Sequence, residues 1–318
     1  MDFTVILYIC MGIGIFFALP STIYTAMFLG VFYRRKVMML EKDDIKSTQY
    51  YPYAERFKKD ILQAKALPCE KVELKAKDGV LLFGRYYDNH SDKTIICAHG
   101  YQSNAFNNFS AQLLDFFNKG YNVLLIDQRA HGNSGGKFTT LGCREYEDLL
   151  LWIEQIAAKK EVEHIIVYGI SMGATTVGYA AEHIQTNKVK CLIMEAGFTC
   201  FFDELMYSLS VNFMKNAALN YIYLMAKSFL KIDLKRSVED SLKNTTIPVL
   251  FLHGDKDEEV PLEFTQRSYL ACKSEKKMIT VQGAGHTLCY LVGDESMRAD
   301  LDGFIDACTE NNAIGEKE

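Results

Sequence analysis

A serine, a carboxylate and a histidine occur in that order along the chain, each just after an apolar run. Ser171 lies between two glycines and follows HIIVYG, whereas Asp255 and Asp257 follow PVLFLHG. His286 follows the run KMITVQG, in the segment GAGHT. A serine hydroxyl is a poor nucleophile at neutral pH unless a base takes its proton, and a carboxylate holds a histidine base in the required tautomer. These residue types predict nucleophilic catalysis by a Ser–Asp–His triad.

The elements that must position this triad are short apolar runs that alternate with helical patterns. A hairpin is predicted first, over residues 71–87, because two alternating runs flank an Asp-Gly turn. The further predicted strands are TIICAH (94–99), NVLLID (122–127), HIIVYG (164–169), KCLIMEA (190–196), PVLFLHG (248–254) and KMITVQG (277–283), and a helix over 295–308 closes the series. Strands of this kind between helices predict an α/β fold, with a mostly parallel sheet covered by helices on both faces.

The carboxyl ends of these strands are the expected place for a site, because ligands of open α/β sheets bind there. Ser171 follows the third of the six runs, the two aspartates follow the fifth, and His286 follows the last. The order of the three residue types, with a strand–turn–helix pattern around the serine, is typical of one class of hydrolytic site. At this point either aspartate can supply the carboxylate.

Composition excludes several other functions for this chain of 318 residues. A formal net charge of −5 argues against a nucleic-acid partner, which needs clustered Lys and Arg. The nine cysteines are scattered and never form a CxxC pair, so neither a zinc site nor a disulfide framework is expected. His99 and His131 lie in Gly-rich turns without metal-ligand spacing. No phosphate-binding loop occurs, so we expect no metal and no cofactor.

The N-terminal segment predicts a membrane anchor. No charged residue occurs from Phe3 to Tyr33, and about 20 apolar residues suffice to cross a bilayer. A cleaved signal peptide is a weaker interpretation, because no positive charge precedes the run. Arg34, Arg35 and Lys36 follow it and favour a catalytic domain on the cytoplasmic side. We therefore expect a transmembrane helix within residues 1–36, a connector over 37–66 and a catalytic domain over 67–318.

Residues 198–243 interrupt the alternation of strands and helices. The segment is long, helical in pattern and rich in aromatic residues and methionines, and it predicts a cap above the sheet. The alternative is one long core helix with its connector. Apolar cap side chains suit an acyl group, and the candidates for substrate contact are Phe201, Met206, Tyr207, Tyr221 and Met225.

Four motifs in register resemble those of the α/β-hydrolase family over roughly residues 70–312. They are CAHGY (97–101), DQRAHGNSGG (127–136), YGISMGA (168–174), and HGDKDEEVP (253–261) followed by GAGHT (283–287). Within that superfamily the chain is most similar to bacterial membrane-anchored hydrolases grouped with serine aminopeptidases and esterases. The resemblance implies the α/β-hydrolase fold.

The resemblance also implies roles for individual residues. Ser171 becomes the nucleophile and His286 the base, and Asp257 matches the family spacing Gly-x-x-Asp-x-x-Val-Pro, which leaves Asp255 a role in the turn. By motif position, the backbone N–H groups of Tyr101 and Met172 form the oxyanion hole.

The expected activity is hydrolysis of small-molecule acyl esters through an acyl-enzyme on Ser171. An aminopeptidase, another amidase or a thioesterase can use the same triad. For a peptide amino terminus, Glu195 or Asp203 is the candidate acidic group. The alternative outside enzymes is a catalytically silent, membrane-tethered interaction module on a hydrolase scaffold. The presence of all three triad residue types argues against it.

Overall fold

A central eight-stranded sheet is built from the runs that the sequence pattern singled out. The computed structural model describes residues 21–35, 37, 48–208 and 215–310. The central strands are buried at nearly every residue, as expected for strands covered on both faces. The strands are β1 (Glu70–Lys75), β2 (Leu81–Tyr87), β3 (Lys93–Ala98), β4 (Asn122–Asp127), β5 (His164–Ile170), β6 (Val189–Glu195), β7 (Val249–Gly254) and β8 (Lys276–Val281).

The strand order in the sheet is β1-β2-β4-β3-β5-β6-β7-β8. The pairs β1–β2 and β2–β4 are antiparallel, and every other pair is parallel. The prediction of a mostly parallel sheet that begins with a hairpin is confirmed. Parallel pairing places the ends of β3, β5, β6 and β7 at one edge, where the motif residues follow.

Helices cover both faces of this sheet. The first described helix, α1, comprises residues 21–32. The other helices are α2 (Ala54–Ala66), α3 (Ala105–Asn118), α4 (Glu145–Ala157), α5 (Met172–Ala180), α6 (Phe201–Ser208), α7 (Lys215–Met225), α8 (Val238–Asn244), α9 (Leu262–Ala271), α10 (Cys289–Val292) and α11 (Glu295–Glu310).

Two apolar cores lie on the two faces of the sheet. On one face, α2, α3 and α11 pack through residues such as Ile61, Phe109 and Leu301. On the other face, α4, α5 and α8 pack around the buried Trp152. Alternate residues of β3 and β5 point to the two faces, so each strand contributes to both cores. This double burial holds the ends of the strands rigid where the site is built.

A third apolar cluster joins α1 to the segment that was predicted as a cap. That segment folds as α6, α7, a π-helical turn over Ala226–Leu230 and α8. Phe28 and Phe32 of α1 are buried against Phe201, Leu219 and Ile222. The chain before the sheet therefore contacts the chain inserted after β6.

The predicted transmembrane anchor has no support from the described residues. None of their helices combines the length and the apolar character that a membrane crossing requires. Residues 1–20 of the predicted anchor lie outside the described part of the chain. Within α1, Tyr24, Phe28 and Phe32 are spaced by four residues and bury one face of the helix on the protein. The buried face of α1 packs against the cap, and hydropathy alone does not distinguish such packing from contact with lipid.

Candidate active site

Ser171 sits on a sharp turn between β5 and α5. Its backbone has φ 56° and ψ −119°, a left-handed conformation that a residue with a side chain adopts only under strain, at a typical cost of about 1–3 kcal/mol. The backbone N–H of Ser171 donates to the carbonyl of Glu195 at 2.8 Å, and Thr175 N–H donates to the Ser171 carbonyl at 3.1 Å. These bonds to β6 and α5 hold the turn. The serine is thereby fixed at the carboxyl edge of the sheet.

Two glycines make this turn sterically feasible. A Cβ atom on Gly169 would lie 2.2 Å from the carbonyl oxygen of Gly173, and a Cβ on Gly173 would lie 1.9 Å from the carbonyl oxygen of Ala98. Both collisions involve backbone atoms of buried elements, which cannot move aside cheaply. The two glycines thus allow α5 to begin in contact with β3 and β5.

We expect Gly173→Ala to destabilise the fold by about 3 kcal/mol or more, because overpacking against backbone atoms cannot be relieved by a rotamer change. The measurement is urea unfolding of wild type and variant. Gly303→Ala is the matched control, since a Cβ there meets no atom within 4 Å in α11 and alanine favours a helix. Equal stability of the two variants would contradict the steric role of Gly173.

The structure brings Ser171, His286 and Asp257 together. His286 Nε2 lies 2.9 Å from Ser171 Oγ. His286 Nδ1 lies 2.8 Å from Asp257 Oδ2 on the opposite side of the ring. The serine and the histidine are 8% and 7% exposed, so little water competes for these bonds. With a proton on Nδ1, the free lone pair of Nε2 faces the serine hydroxyl.

Of the two candidate aspartates, the geometry favours Asp257. Its other oxygen, Oδ1, accepts the N–H groups of Val260 at 2.8 Å and Glu259 at 3.0 Å. The buried His253 lies against it, with Nε2 3.3 Å from Oδ2. Asp255 instead accepts the N–H of Gly283 at 2.6 Å and joins the turn after β7 to the turn after β8. His253 is thus a support of the acid that the sequence pattern did not indicate.

Burial and neighbouring charges shift the pKa values of Asp257 and His286 in opposite directions. Burial acts to raise the pKa of Asp257, but hydrogen bonds from His253 and His286 outweigh it and hold that pKa well below its usual range. Burial acts to lower the pKa of His286, but the bond and charge of Asp257, with the charges of Glu259 and Glu204, raise it above its ordinary value. The aspartate stays ionised, and the imidazolium formed when His286 takes a proton is stabilised.

The two predicted oxyanion donors flank Ser171. Met172 is the first residue of α5, directly after the serine. A Cβ on Gly100 would lie 3.2 Å from the Ser171 Cβ, so the turn carrying Tyr101 packs on the serine. Asn108 accepts the N–H of Gly100 at 2.8 Å, and the Tyr101 hydroxyl donates to the Val31 carbonyl at 2.6 Å.

The two histidines near this turn are engaged in holding loops. His99 is fully buried, and its Nε2 accepts the N–H of Gln128 at 3.1 Å. Burial lowers the pKa of His99 to about 4, so it stays neutral. His131 Nε2 accepts the N–H of Gln102 at 3.2 Å. Both rings brace the turn beside Ser171.

A cavity of about 790 Å³ opens above the triad. Ser171, His286 and Tyr101 lie in its wall. Of the five predicted substrate contacts, Phe201 and Tyr207 also line it. Met206 is exposed, Tyr221 shares a 2.7 Å hydrogen bond with Thr25 of α1, and Met225 packs with the third apolar cluster. These three residues are not among the described residues that line the cavity.

The acidic groups of the cavity differ from those considered in the sequence. Glu195 is buried and accepts the Tyr168 hydroxyl at 2.6 Å, and Asp203 pairs with Arg267 at 3.2 Å. The carboxylates that line the cavity are Glu204, Glu258 and Glu259. Phe201, Glu204, Leu205 and Ser208 repeat at helical spacing and share one face of α6, which is a signal that could have found Glu204.

Residues before the first strand also reach the site. Gln49 donates to the backbone carbonyl of His286 at 2.8 Å, and the Tyr50 hydroxyl shares a hydrogen bond of 2.7 Å with Thr287 Oγ1. Thr287 has a positive φ of 59°. These contacts hold the loop that carries the histidine, and no local sequence pattern indicates them.

Glu204 gives a prediction about pH. Burial raises the pKa of Glu204, whose Oε2 has no hydrogen-bond partner among the described residues, and its charge raises the pKa of His286. His286 accepts a proton only when neutral, so kcat/KM falls as the pH drops through its pKa. Glu204→Gln removes a charge that favours the imidazolium. We therefore expect the acid limb of the kcat/KM profile to move to lower pH.

The control for this profile is Asp203→Asn on the same helix. Its carboxylate is engaged by Arg267 and is not among the groups that act on His286. The acid limb should stay in place in this variant. A limb that moves equally in both variants would assign the effect to general surface charge rather than to Glu204.

The chain matches two protein-family models and is similar to several bacterial proteins. The family described as "alpha/beta hydrolase fold" matches residues 93–235, and the one described as "TAP-like protein" matches residues 221–315. The uncharacterised protein YqkD of Bacillus subtilis is 30% identical over 223 residues, which are 67% of this chain and 71% of YqkD. The uncharacterised protein YfhR of Escherichia coli K12 is 24% identical over 69% of this chain and 73% of its own length.

Solved structures show the same similarity in three dimensions. The esterase Pf2001 of Pyrococcus furiosus is 26% identical, with a TM-score of 0.62 over 78% of this chain and 93% of that one. The protein Est1E of Butyrivibrio proteoclasticus, solved with ferulic acid bound, shares the fold at 22% identity, with a TM-score of 0.59 over 76% of this chain and 99% of that one.

Proposed function

This chain belongs to the α/β-hydrolase superfamily, and from that premise we propose that it is a serine hydrolase that cleaves acyl esters through an acyl-enzyme. The observation that carries the proposal is the chain of hydrogen bonds from Asp257 through His286 to Ser171, at the wall of a cavity. The likeness to the esterase Pf2001 supports an ester as substrate.

The acylation step follows from the direction of these bonds. Ser171 Oγ attacks the ester carbonyl while His286 Nε2 takes its proton, and Asp257 stabilises the imidazolium. The carbonyl oxygen becomes an oxyanion, which the N–H groups of Tyr101 and Met172 receive. One such donor is typically worth about 10²–10³ in kcat. His286 then returns the proton to the leaving alcohol.

Deacylation reverses the roles with water in place of the alcohol. His286 takes a proton from a water molecule, whose oxygen attacks the acyl carbon. Ser171 leaves with the proton returned by the imidazolium, and the carboxylic acid departs. The acyl group lies against apolar residues of the cavity wall such as Phe201, Leu205 and Tyr207.

The test is a substrate panel on the full chain. We expect turnover of p-nitrophenyl esters and covalent labelling by a fluorophosphonate, both absent from Ser171→Ala. The rate over a series of acyl lengths reports how much of the cavity the acyl chain fills. A folded wild-type protein that is neither labelled nor active on esters, thioesters or anilides would contradict the proposal and favour an interaction module.

The acidic cavity favours a second candidate, an aminopeptidase that uses the same triad. Three glutamates line the described cavity wall, and no lysine or arginine does. Such a wall attracts a substrate that carries a protonated amine. Aminoacyl p-nitroanilides with free and with acetylated amino groups distinguish the candidates. A strong preference for the free amine that Glu204→Gln removes by raising KM would replace the esterase proposal with this one.

A further inference from the structure

Exposed apolar side chains are concentrated on one part of the molecule. Eleven large hydrophobic residues are exposed among the described residues, and seven of them belong to α1, Tyr33 or the cap segment. Singly scattered exposed hydrophobics are normal on a protein surface, but a concentration of them marks an interaction site. The seven are Ile23, Leu29, Tyr33, Met206, Tyr207, Leu224 and Phe229.

Aromatic contacts make part of this surface continuous. The ring of Phe229 lies 6.4 Å from that of Phe28 and 5.5 Å from that of Phe138, which in turn lies 5.6 Å from Tyr33. Phe229 and Tyr33 nevertheless remain 60% and 50% exposed. We call the surface formed by Ile23, Leu29, Tyr33, Leu224 and Phe229 the cap face.

The outward side of α1 within the cap face carries no charged residue, unlike the outward side of a typical surface helix. Helix α1 buries Tyr24, Phe28 and Phe32 on the protein. Its opposite side exposes Thr22, Ile23, Ala26 and Leu29, and no charged residue occurs in the helix. A helix at a water-facing surface normally carries charged or polar residues on that side. The exposed side of α1 is therefore suited to an apolar surrounding.

The charge around the cap face is opposite to that of the whole chain. Residues 215–236 contain four lysines and one arginine against one aspartate, a net charge of +4 in a chain of net charge −5. Lys227 and Lys231 are exposed beside Leu224 and Phe229 in sequence. Among the ion pairs of the described residues, none involves either lysine. The Lys227 ammonium lies 5.8 Å from the ring centroid of Tyr223, and no carboxylate of the described residues neutralises either lysine, so both positive charges remain available to an anionic surface.

From these features we propose that the cap face docks on an anionic phospholipid bilayer. Exposed apolar residues interleaved with lysines are the combination that binds at a lipid headgroup boundary, where each cation adds to the attraction of an anionic surface. The uncharged run from Phe3 to Tyr33 leads directly into the cap face. Val31 and Tyr207 line the cavity beside it, so docking brings the cavity mouth to the lipid. Docking itself does not require the proposed esterase activity.

A tryptophan placed on the cap face reports contact of that face with lipid, independently of any other segment that binds lipid. Trp152 is the single tryptophan of the sequence and is 1% exposed in the core. Leu224→Trp places a second tryptophan on the cap face, and Leu270→Trp places one on α9, at a residue 71% exposed away from it. The full-length variants are measured with vesicles of brominated phosphatidylcholine, with and without brominated phosphatidylglycerol.

We expect bromolipid quenching for Leu224→Trp, greater with phosphatidylglycerol and weaker at high salt, and none beyond the Trp152 background for Leu270→Trp. Adding Lys227→Glu and Lys231→Glu should reduce the quenching by about half or more, given the contribution of each cation. The matched reversals Lys160→Glu and Lys273→Glu, near the opposite edge of the sheet, should leave it unchanged. Equal quenching at 224 and 270, or equal loss from both reversal pairs, would overturn the proposal.

Discussion

Replacing Ser171 by alanine is expected to lower kcat by about 10⁵–10⁶ for any ester that the wild type cleaves. The hydroxyl is the atom that forms the acyl-enzyme, and its partner His286 Nε2 lies 2.9 Å away. Without the hydroxyl, the cavity and the oxyanion donors still bind substrate. KM should therefore change much less than kcat, and fluorophosphonate labelling should disappear.

The control for this loss is Ser103→Ala. Ser103 lines the same cavity, and it is placed in the loop after β3 rather than on the turn after β5. The two variants remove the same group from the same cavity, so they differ only in the position of the hydroxyl. Near-normal labelling of Ser171→Ala, or loss of labelling in Ser103→Ala, would move the nucleophile away from Ser171.

The sequence allowed the sheet to be predicted well because its central strands are buried on both faces. A strand such as β5 is apolar along its length, and five to seven apolar residues between helical patterns leave few alternatives. The edge at which the polar residues meet follows from parallel pairing alone. This is why Ser171 and His286, 115 residues apart in sequence, could be assigned to one site.

What sequence reasoning missed depends on contacts between distant segments. Gln49 and Tyr50 bind the histidine loop 237 residues away, and a mixed connector offers no periodic signal for such a contact. The N-terminal run shows the same difficulty. The lack of charge in this run is compatible with contact to lipid or to protein on either side of α1. The structure places the buried side of α1 against the cap.

The motif spacing and the geometry both favour Asp257 over Asp255 as the acid of the triad, and substitution of each aspartate tests this assignment. We expect Asp257→Asn to lower kcat/KM by about 10⁴. The new amide donates to His286 Nδ1, which forces the ring proton onto Nε2, and Nε2 can no longer accept the serine proton. The amide oxygen can still accept the N–H groups of Glu259 and Val260, so the loop should keep its shape.

Asp255→Asn is the matched control, one turn of loop away. Its carboxylate accepts the N–H of Gly283, and an asparagine oxygen can accept the same bond. We expect turnover of Asp255→Asn within a few-fold of wild type. Its Tm should also stay close to that of wild type, because the asparagine keeps the hydrogen bond to Gly283 and the volume of the side chain. The reverse result, with Asp255→Asn inactive and Asp257→Asn active, would move the acid to the end of β7. The support that His253 gives to Asp257 would then be structural, since the carboxylate it braces would take no part in the reaction.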